Sequence, residues 1–315
     1  MYPYLSFPVF SYNCFVKEVM SNKDEHQKGV MSLVLLALVF ASMGLFARYL
    51  STGLLLFQQV YLRMLAALVV GYVVFRKQVD MAKFKKLPPK EWLIICVRAV
   101  SYSLFGIILF TQAIIITKYS NVSFIGSLPM TALLGFVLLR EKFSFKKLAL
   151  ILLAFAGVAL ISVEDYTNIF SWGKGEVLTL ISTVFFSLSY IARKWQTKTL
   201  NNKELTVINF LVAFLAVFIV SILKGDGLPT AGWHLGLLLA VVGAGIFNIG
   251  NVYLTNYGFQ KVEAVLASNI LTLESVFAVV LGFLFYKEVP IAKELLGGII
   301  ITLSVIGMNK LEAKN

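Results

Sequence analysis

Charge is scarce in this chain. Asp, Glu, Lys and Arg make up 14% of its 315 residues, where an ordinary soluble domain carries about 25%. Cys14 and Cys96 are too few for a disulfide framework or a cysteine-bound metal, and two histidines, His26 and His234, exclude a histidine-rich metal cluster. No Gly-x-x-x-x-Gly-Lys-Ser/Thr loop is present for a nucleotide, which removes a pump driven by ATP. No low-complexity tract or long linker divides the chain. No motif calls for a cofactor.

What is present is apolar. Hydrophobic residues make up 59% of the chain and the mean hydropathy is +0.84, more apolar surface than a water-soluble fold of this size can hide. The apolar runs fill nearly everything after Gly29, so a single anchor on a soluble domain is excluded as well. Shared among ten spans, the rest of the chain leaves about 29 residues for each helix with its connection, and no room for a separate catalytic domain. The pattern predicts an all-α membrane protein with spans near 30–50, 55–75, 91–117, 120–139, 146–163, 175–195, 205–223, 233–256, 264–286 and 292–309. Turn chemistry separates them: Pro88-Pro89, Gly225-Asp226-Gly227-Leu228-Pro229 and Pro290. Residues 1–28 and 310–315 are tails. For residues 1–19 two readings stand, a start misplaced upstream of Met20 or a segment lying on the membrane surface.

A formal charge of +12 would suggest a nucleic-acid partner in a soluble chain. Here the basic residues lie between apolar runs and set topology instead. With the amino-terminal tail in the cytoplasm, that face holds three Lys/Arg in the tail and six between spans two and three. It adds four after span four, four after span six, and Lys261, Lys310 and Lys314, which makes 20. The opposite face holds six: Arg48, Lys118, Lys174, Lys224, Lys287 and Lys293. The bias predicts a multi-pass protein of the cell membrane with both termini cytoplasmic, and it requires an even number of spans.

The two halves resemble each other. At a shift of 145, Val39–Arg48 lies on Val184–Arg193 with five of ten positions identical. At a shift of 147, Leu134–Glu141 lies on Leu281–Glu288 with four of eight identical. Each repeat, 30–163 and 175–309, holds five spans. An odd number forces the second copy to enter the membrane upside down. Inverted repeats are a mark of secondary transporters, whose substrate site lies near the midplane between the copies.

These residues carry a family resemblance. The short motif ending in Glu141, its copy ending in Glu288, and the plan of five spans twice over resemble the drug/metabolite transporter superfamily, EamA type. Arg63 early in span two, Gly157 in span five and Leu273-Glu274-Ser275-Val276-Phe277 in span nine are similar too. Arg140 and Lys287 depart from the pattern, standing where a small residue often precedes the glutamate, and Ser275 stands near an expected proline. The resemblance implies two inverted five-helix repeats around a central cavity, lined mainly by the first, third, fourth, sixth, eighth and ninth spans.

Polar residues inside the spans are the candidates for work. Glu274 lies near the middle of span nine, where a carboxylate should face the interior or water. It could bind a cationic group or carry a proton, since burial disfavours the charged form of a carboxyl group, or it could pair with Arg63 or Arg98. Those two arginines are structural or gating candidates, with structure favoured over an anion-binding role for either; Arg98, near the cytoplasmic end, could snorkel to headgroups. Asn248 and Asn251 share a face of span eight, and Ser268, Thr272 and Ser275 a face of span nine. Tyr102 and Gln112 lie along a stripe of span three, while Ser42, Ser187 and Tyr190 line up in spans one and six. Hydroxyls and aromatics suit a small, partly apolar solute. Pro129, beside Ser127 in span four, should kink its helix and free a carbonyl. Glu141 and Glu288 should bond the exposed backbone of the following hairpin.

The function expected is secondary active transport of a small organic metabolite by alternating access, proton-coupled or driven by exchange. One buried acid plus amides suits an amino-acid-like, zwitterionic or weakly cationic substrate. A nucleotide-derived metabolite or a drug-like cation is the alternative within the class. A membrane-embedded lipid-modifying enzyme would need a nucleophile with a base or a metal set, and no His-Glu-x-x-His or pair of aspartates occurs within the spans.

Overall fold

The computed structural model describes residues 10–117, 122, 125–141, 144–162, 173–197, 199–230, 232–286 and 289–312. The described residues form helices joined by short connections, and eight of these helices are long and apolar enough to cross a membrane. Span one belongs to a helix running from Phe10 to Leu50. No proline or glycine interrupts residues 10–28, and Lys28 pairs with Asp24 at 2.9 Å one turn away, so nothing in the tail stops the helix. Span two is Leu56–Phe75, span six Lys174–Trp195, span seven Asn202–Leu223, span eight Leu235–Lys261 and span ten Ala292–Glu312. Phe145–Ser162 forms span five.

The remaining three spans are irregular, each in a way that matters for the interior. Span three passes from Pro89–Val100 through a π-helical stretch, Ser101–Ile107, into Ile108–Ile116. Span four is not kinked at Pro129 but broken: Ser127–Pro129 leave the helix, which begins afresh as Met130–Leu138. Proline fits the start of a helix, where no partner for its missing N–H is needed, better than the interior. Span nine breaks at Thr272, between Ala264–Leu271 and Leu273–Tyr286. At the shift of 147 that matches Leu134–Glu141 to Leu281–Glu288, Ser127 falls two residues past Thr272, so the breaks lie at neighbouring places in the two repeats.

Packing follows a two-fold axis. Span one packs on span eight as span six packs on span three, and span one meets span nine as span six meets span four. Spans two and seven, and spans five and ten, pack on their own counterparts. The start of span one and the end of span ten meet at one end of the bundle, where His26 Nε2 is 3.4 Å from Asn309 Oδ1 and Lys261 pairs with Glu25 at 2.6 Å. We name this the tail end and its opposite the far end. Ten spans, with five in each repeat and the first and last meeting at one end, make the repeats inverted about an axis in the membrane plane.

Small residues set the closest approach. A Cβ on Gly157 of span five would lie 2.8 Å from Gly297 O, and one on Gly297 would lie 2.6 Å from Gly157 O. The two backbones are in contact there, the device that holds membrane helices together where lipid supplies no hydrophobic drive.

Candidate functional site

A cavity of about 130 Å³ runs from the middle of the bundle toward the far end. Spans one, three, four, six, eight and nine line it, with Arg63 added from span two. It lies where the two repeats meet and where both broken spans give up regular helix. Discontinuous helices at matching positions of inverted repeats are the best structural pointer to a transporter's binding site.

Many of the polar residues singled out in the sequence meet here. Tyr102, Ser127, Ser187, Tyr190, Asn248, Asn251, Ser268, Thr272 and Glu274 all line the cavity. Thr131 Oγ1 donates to Ser187 Oγ at 2.9 Å, joining spans four and six across the repeats. Thr272 is tied to its own helix by a 2.6 Å bond to Asn269 O. Both amide atoms of Asn248 and the Oδ1 of Asn251 are buried without a partner in the protein. One wall is aromatic: the Phe186 ring lies 5.6 Å from Tyr102 and 6.4 Å from Tyr190, with Phe110 at 5.9 Å. Such a site offers a few placed polar groups against an apolar body, the usual make-up of a small-molecule pocket.

Other candidates lie elsewhere. Ser42 donates to Leu38 O of its own helix at 3.1 Å and does not line the cavity. Ser275 is buried next to Glu274 but turned from the lining, its Oγ unpartnered. Gln112 is displaced by the π-helical stretch. Tyr102 to Ile107 is a step of five, so the inward face continues through Ile107, Phe110 and Thr111, while Phe105 points outward. An α-helical period cannot reveal that shift. Thr183 is a lining residue that the sequence reading left out, although it lies one turn before Ser187. Pro129 borders a separate small pocket between spans four, five and nine. Glu288 lies outside the described residues.

Arg98 does not snorkel. It is 3% exposed and donates from Nε to Ser189 O at 3.1 Å, from Nη1 to Gln196 Oε1 at 2.6 Å, and from Nη2 to Asn256 Oδ1 at 2.6 Å. The charge is satisfied by neutral acceptors of spans six and eight. Asn256 in turn donates to Thr206 Oγ1 of span seven at 3.1 Å and accepts Arg193 Nε on its carbonyl at 3.1 Å. This network fills the tail half of the bundle. Between it and the cavity lies a small pocket of about 20 Å³, and Tyr102 and Tyr190 line both spaces, forming the partition. No ion pair joins Glu274 to Arg63 or Arg98 among the described residues.

Glu141 bonds backbone, but in the opposite repeat rather than in the following hairpin. It accepts from Ala264 N at 2.8 Å and Val265 N at 3.1 Å, the unpaired amides that open span nine. The hairpin partner was expected because it is near in sequence; the inverted fold brings span nine closer. Beside it Arg140 has φ 54, a left-handed turn that explains why a small residue would suit this place. Lys147 pairs with Glu263 at 2.5 Å, and Lys194 donates to Val262 O, so the connection before span nine is held from both repeats.

A ten-span bundle of inverted repeats around a polar cavity between them defines an integral membrane transporter. The comparisons agree: the EamA-like transporter family matches residues 27–163 and 173–310, and the chain belongs to that family. It is 26% identical over 257 residues to an uncharacterized transporter of Synechocystis sp., covering 77% of this chain and 72% of the relative. Uncharacterized transporters of Bacillus subtilis (24% over 179 residues, 54% of this chain and 57% of the relative) and Archaeoglobus fulgidus (29% over 163 residues, 50% and 54%) are also similar. A solved crystal structure shares the fold with a TM-score of 0.73 at 16% identity, covering 93% of this chain and 98% of that one.

Proposed function

We propose that the protein is a secondary active transporter of a small amino-acid-like metabolite, zwitterionic or weakly cationic, working by alternating access across the cell membrane with both termini cytoplasmic. The observation that carries this reading is the carboxylate of Glu274 beside the break of span nine, in a cavity whose other polar lining is Arg63, two amides, hydroxyls and tyrosines among apolar side chains. In the orientation given by the basic connections, the far end is extracellular and the cavity faces outward. The Arg98 network and the Tyr102–Tyr190 partition close the way to the cytoplasm. Transport then needs the tail half to loosen while the far half closes, an exchange that two inverted copies of one scaffold can make.

Glu274 is the proton-coupling candidate. The titratable and charged groups sharing its cavity are Arg63, Tyr102 and Tyr190. A carboxyl group that holds a proton in one state and a substrate ammonium in the other links the two fluxes. Counterflow in proteoliposomes tests the class, because a carrier accumulates label against internal unlabelled substrate whereas a channel does not. Substituting Glu274→Gln should abolish the response to an imposed pH gradient and permit at most a counterflow weakened by the lost ammonium contact. A Gln variant with wild-type proton-driven uptake removes Glu274 from coupling. No label accumulation with any of a broad panel of amino acids and amines overturns the substrate class.

A further inference from the structure

We propose that Arg63 is the anion receptor of the cavity: the substrate's carboxylate docks on its guanidinium while the ammonium reaches Glu274 across the repeat interface. The inference rests on the amino-acid-like reading above and adds the residue that recognises the acid.

The two arginines inside the spans of the first repeat have opposite surroundings. Arg98 has all three of its nitrogens engaged. Arg63 is equally buried, at 3% exposed, yet its Nε and Nη1 have no acceptor. Leaving donors of a cation unpaired in a low-dielectric interior is strongly unfavourable, and evolution of a purely structural arginine would supply acceptors as it does for Arg98. Arg63 lines the cavity instead, with the unpartnered amides of Asn248 and Asn251 on the same lining. A planar fork of N–H donors matches a carboxylate in a bidentate pair.

The complementary charge is on the other repeat. Arg63 belongs to span two and Glu274 to span nine, both line one cavity, and no ion pair joins them among the described residues. A zwitterion satisfies both at once and links the two repeats through itself. An amine or an acid alone engages only one side. Selection for a molecule with both charges therefore follows from the placement of the two residues, and the bound substrate itself supplies the contact between halves.

The test is counterflow in proteoliposomes preloaded with a mixture of the twenty amino acids, with each acid and its carboxamide then offered outside as label. Wild-type protein should exchange one or more acids and prefer them to their amides. Arg63→Gln should lower exchange of the acid by roughly tenfold to a hundredfold, the loss of a charge-assisted pair, and reduce the preference over the amide by the same factor. Arg63→Lys, which keeps the charge but not the fork, should retain part of the preference. If wild type exchanges none of the acids, the amino-acid reading falls and this inference with it. If wild type exchanges acids and Arg63→Gln keeps the wild-type ratio of acid to amide, this inference alone is overturned. Should the variants fail to fold, wild-type protein decides. p-Hydroxyphenylglyoxal should modify Arg63, as read by peptide mass mapping, and an exchanged acid at saturating concentration should protect it while its amide does not. Equal modification with acid, amide and no addition overturns the proposal.

Discussion

Gln58 and Glu204 occupy one place in the two repeats, 146 positions apart, and the connections they grip, at Asp226 and Asp80, are again 146 apart. Each side chain first turns back to the N–H that opens its own helix, Leu55 N to Gln58 Oε1 at 3.1 Å and Asn201 N to Glu204 Oε2 at 2.8 Å. Each then holds a loop of the opposite repeat. At the far end the hold is neutral: Gln58 Nε2 donates to Asp226 O at 2.8 Å and Tyr61 OH to Gly227 O at 3.2 Å. At the tail end it is charged and shared. Glu204 accepts from Asp80 N at 3.2 Å and lies 3.0 Å from Lys83 Nζ, while Asn201 Nδ2 donates to Gln78 O at 3.0 Å.

The loops differ in kind too. The far-end loop depends on Gly225, whose φ of 83 closes the end of span seven with Asp226 N bonded to Ser221 O at 3.1 Å. The tail-end loop contains a short helix, Met81–Lys85, capped by Asp80 through a 2.9 Å bond from Ala82 N. A symmetric scaffold thus carries unequal clasps. Among the described residues the tail end has Glu204, Arg98 and Glu141 as hubs, and the cavity faces the far end.

Mutations at the hubs should rank by this inequality. Arg98→Ala leaves the side-chain acceptors of Gln196 and Asn256 buried without this donor and should cost the most, about 3 kcal/mol or more. Glu204→Ala removes a helix cap and the grip on Asp80 and Lys83 together and should cost about 2 kcal/mol. Gln58→Ala, its far-end counterpart, should cost about 1 kcal/mol. Thermal unfolding in one detergent measures all three, and equal losses for Glu204→Ala and Gln58→Ala would break the comparison. The smallest effect has the opposite sign: Arg140→Gly relieves a left-handed residue and should stabilise by about 0.5–1 kcal/mol.

Much of the fold was legible in the sequence because it depends on sums over many residues. Apolar runs, the charge bias between connections and the matched Val39–Arg48 and Val184–Arg193 segments each needed no knowledge of contacts. The interior was legible where helical period holds, as for Asn248 and Asn251. It failed where the backbone departs from that period: the π-helical stretch turns Gln112 away, and Pro129 starts a helix instead of bending one. Partners remote in sequence were out of reach in principle. Arg98 meets Asn256 across 158 positions and Glu141 meets Ala264 across 123, so residue type alone could not separate a saturated arginine from the unpartnered Arg63.

Alternating access requires the two ends to open in turn. Spin labels placed in a background without the native cysteines, one pair at Lys85 and Thr199 on the tail end and one at Thr52 and Leu228 on the far end, would sit on exposed positions of both loops. Electron–electron resonance distances in nanodiscs, with and without an exchanged substrate and across pH, should show the two distributions moving in opposite senses. Populations with a longer tail-end distance should carry a shorter far-end one. Two distances that stay fixed under every condition, or that lengthen together, would contradict alternating access by exchange between the repeats.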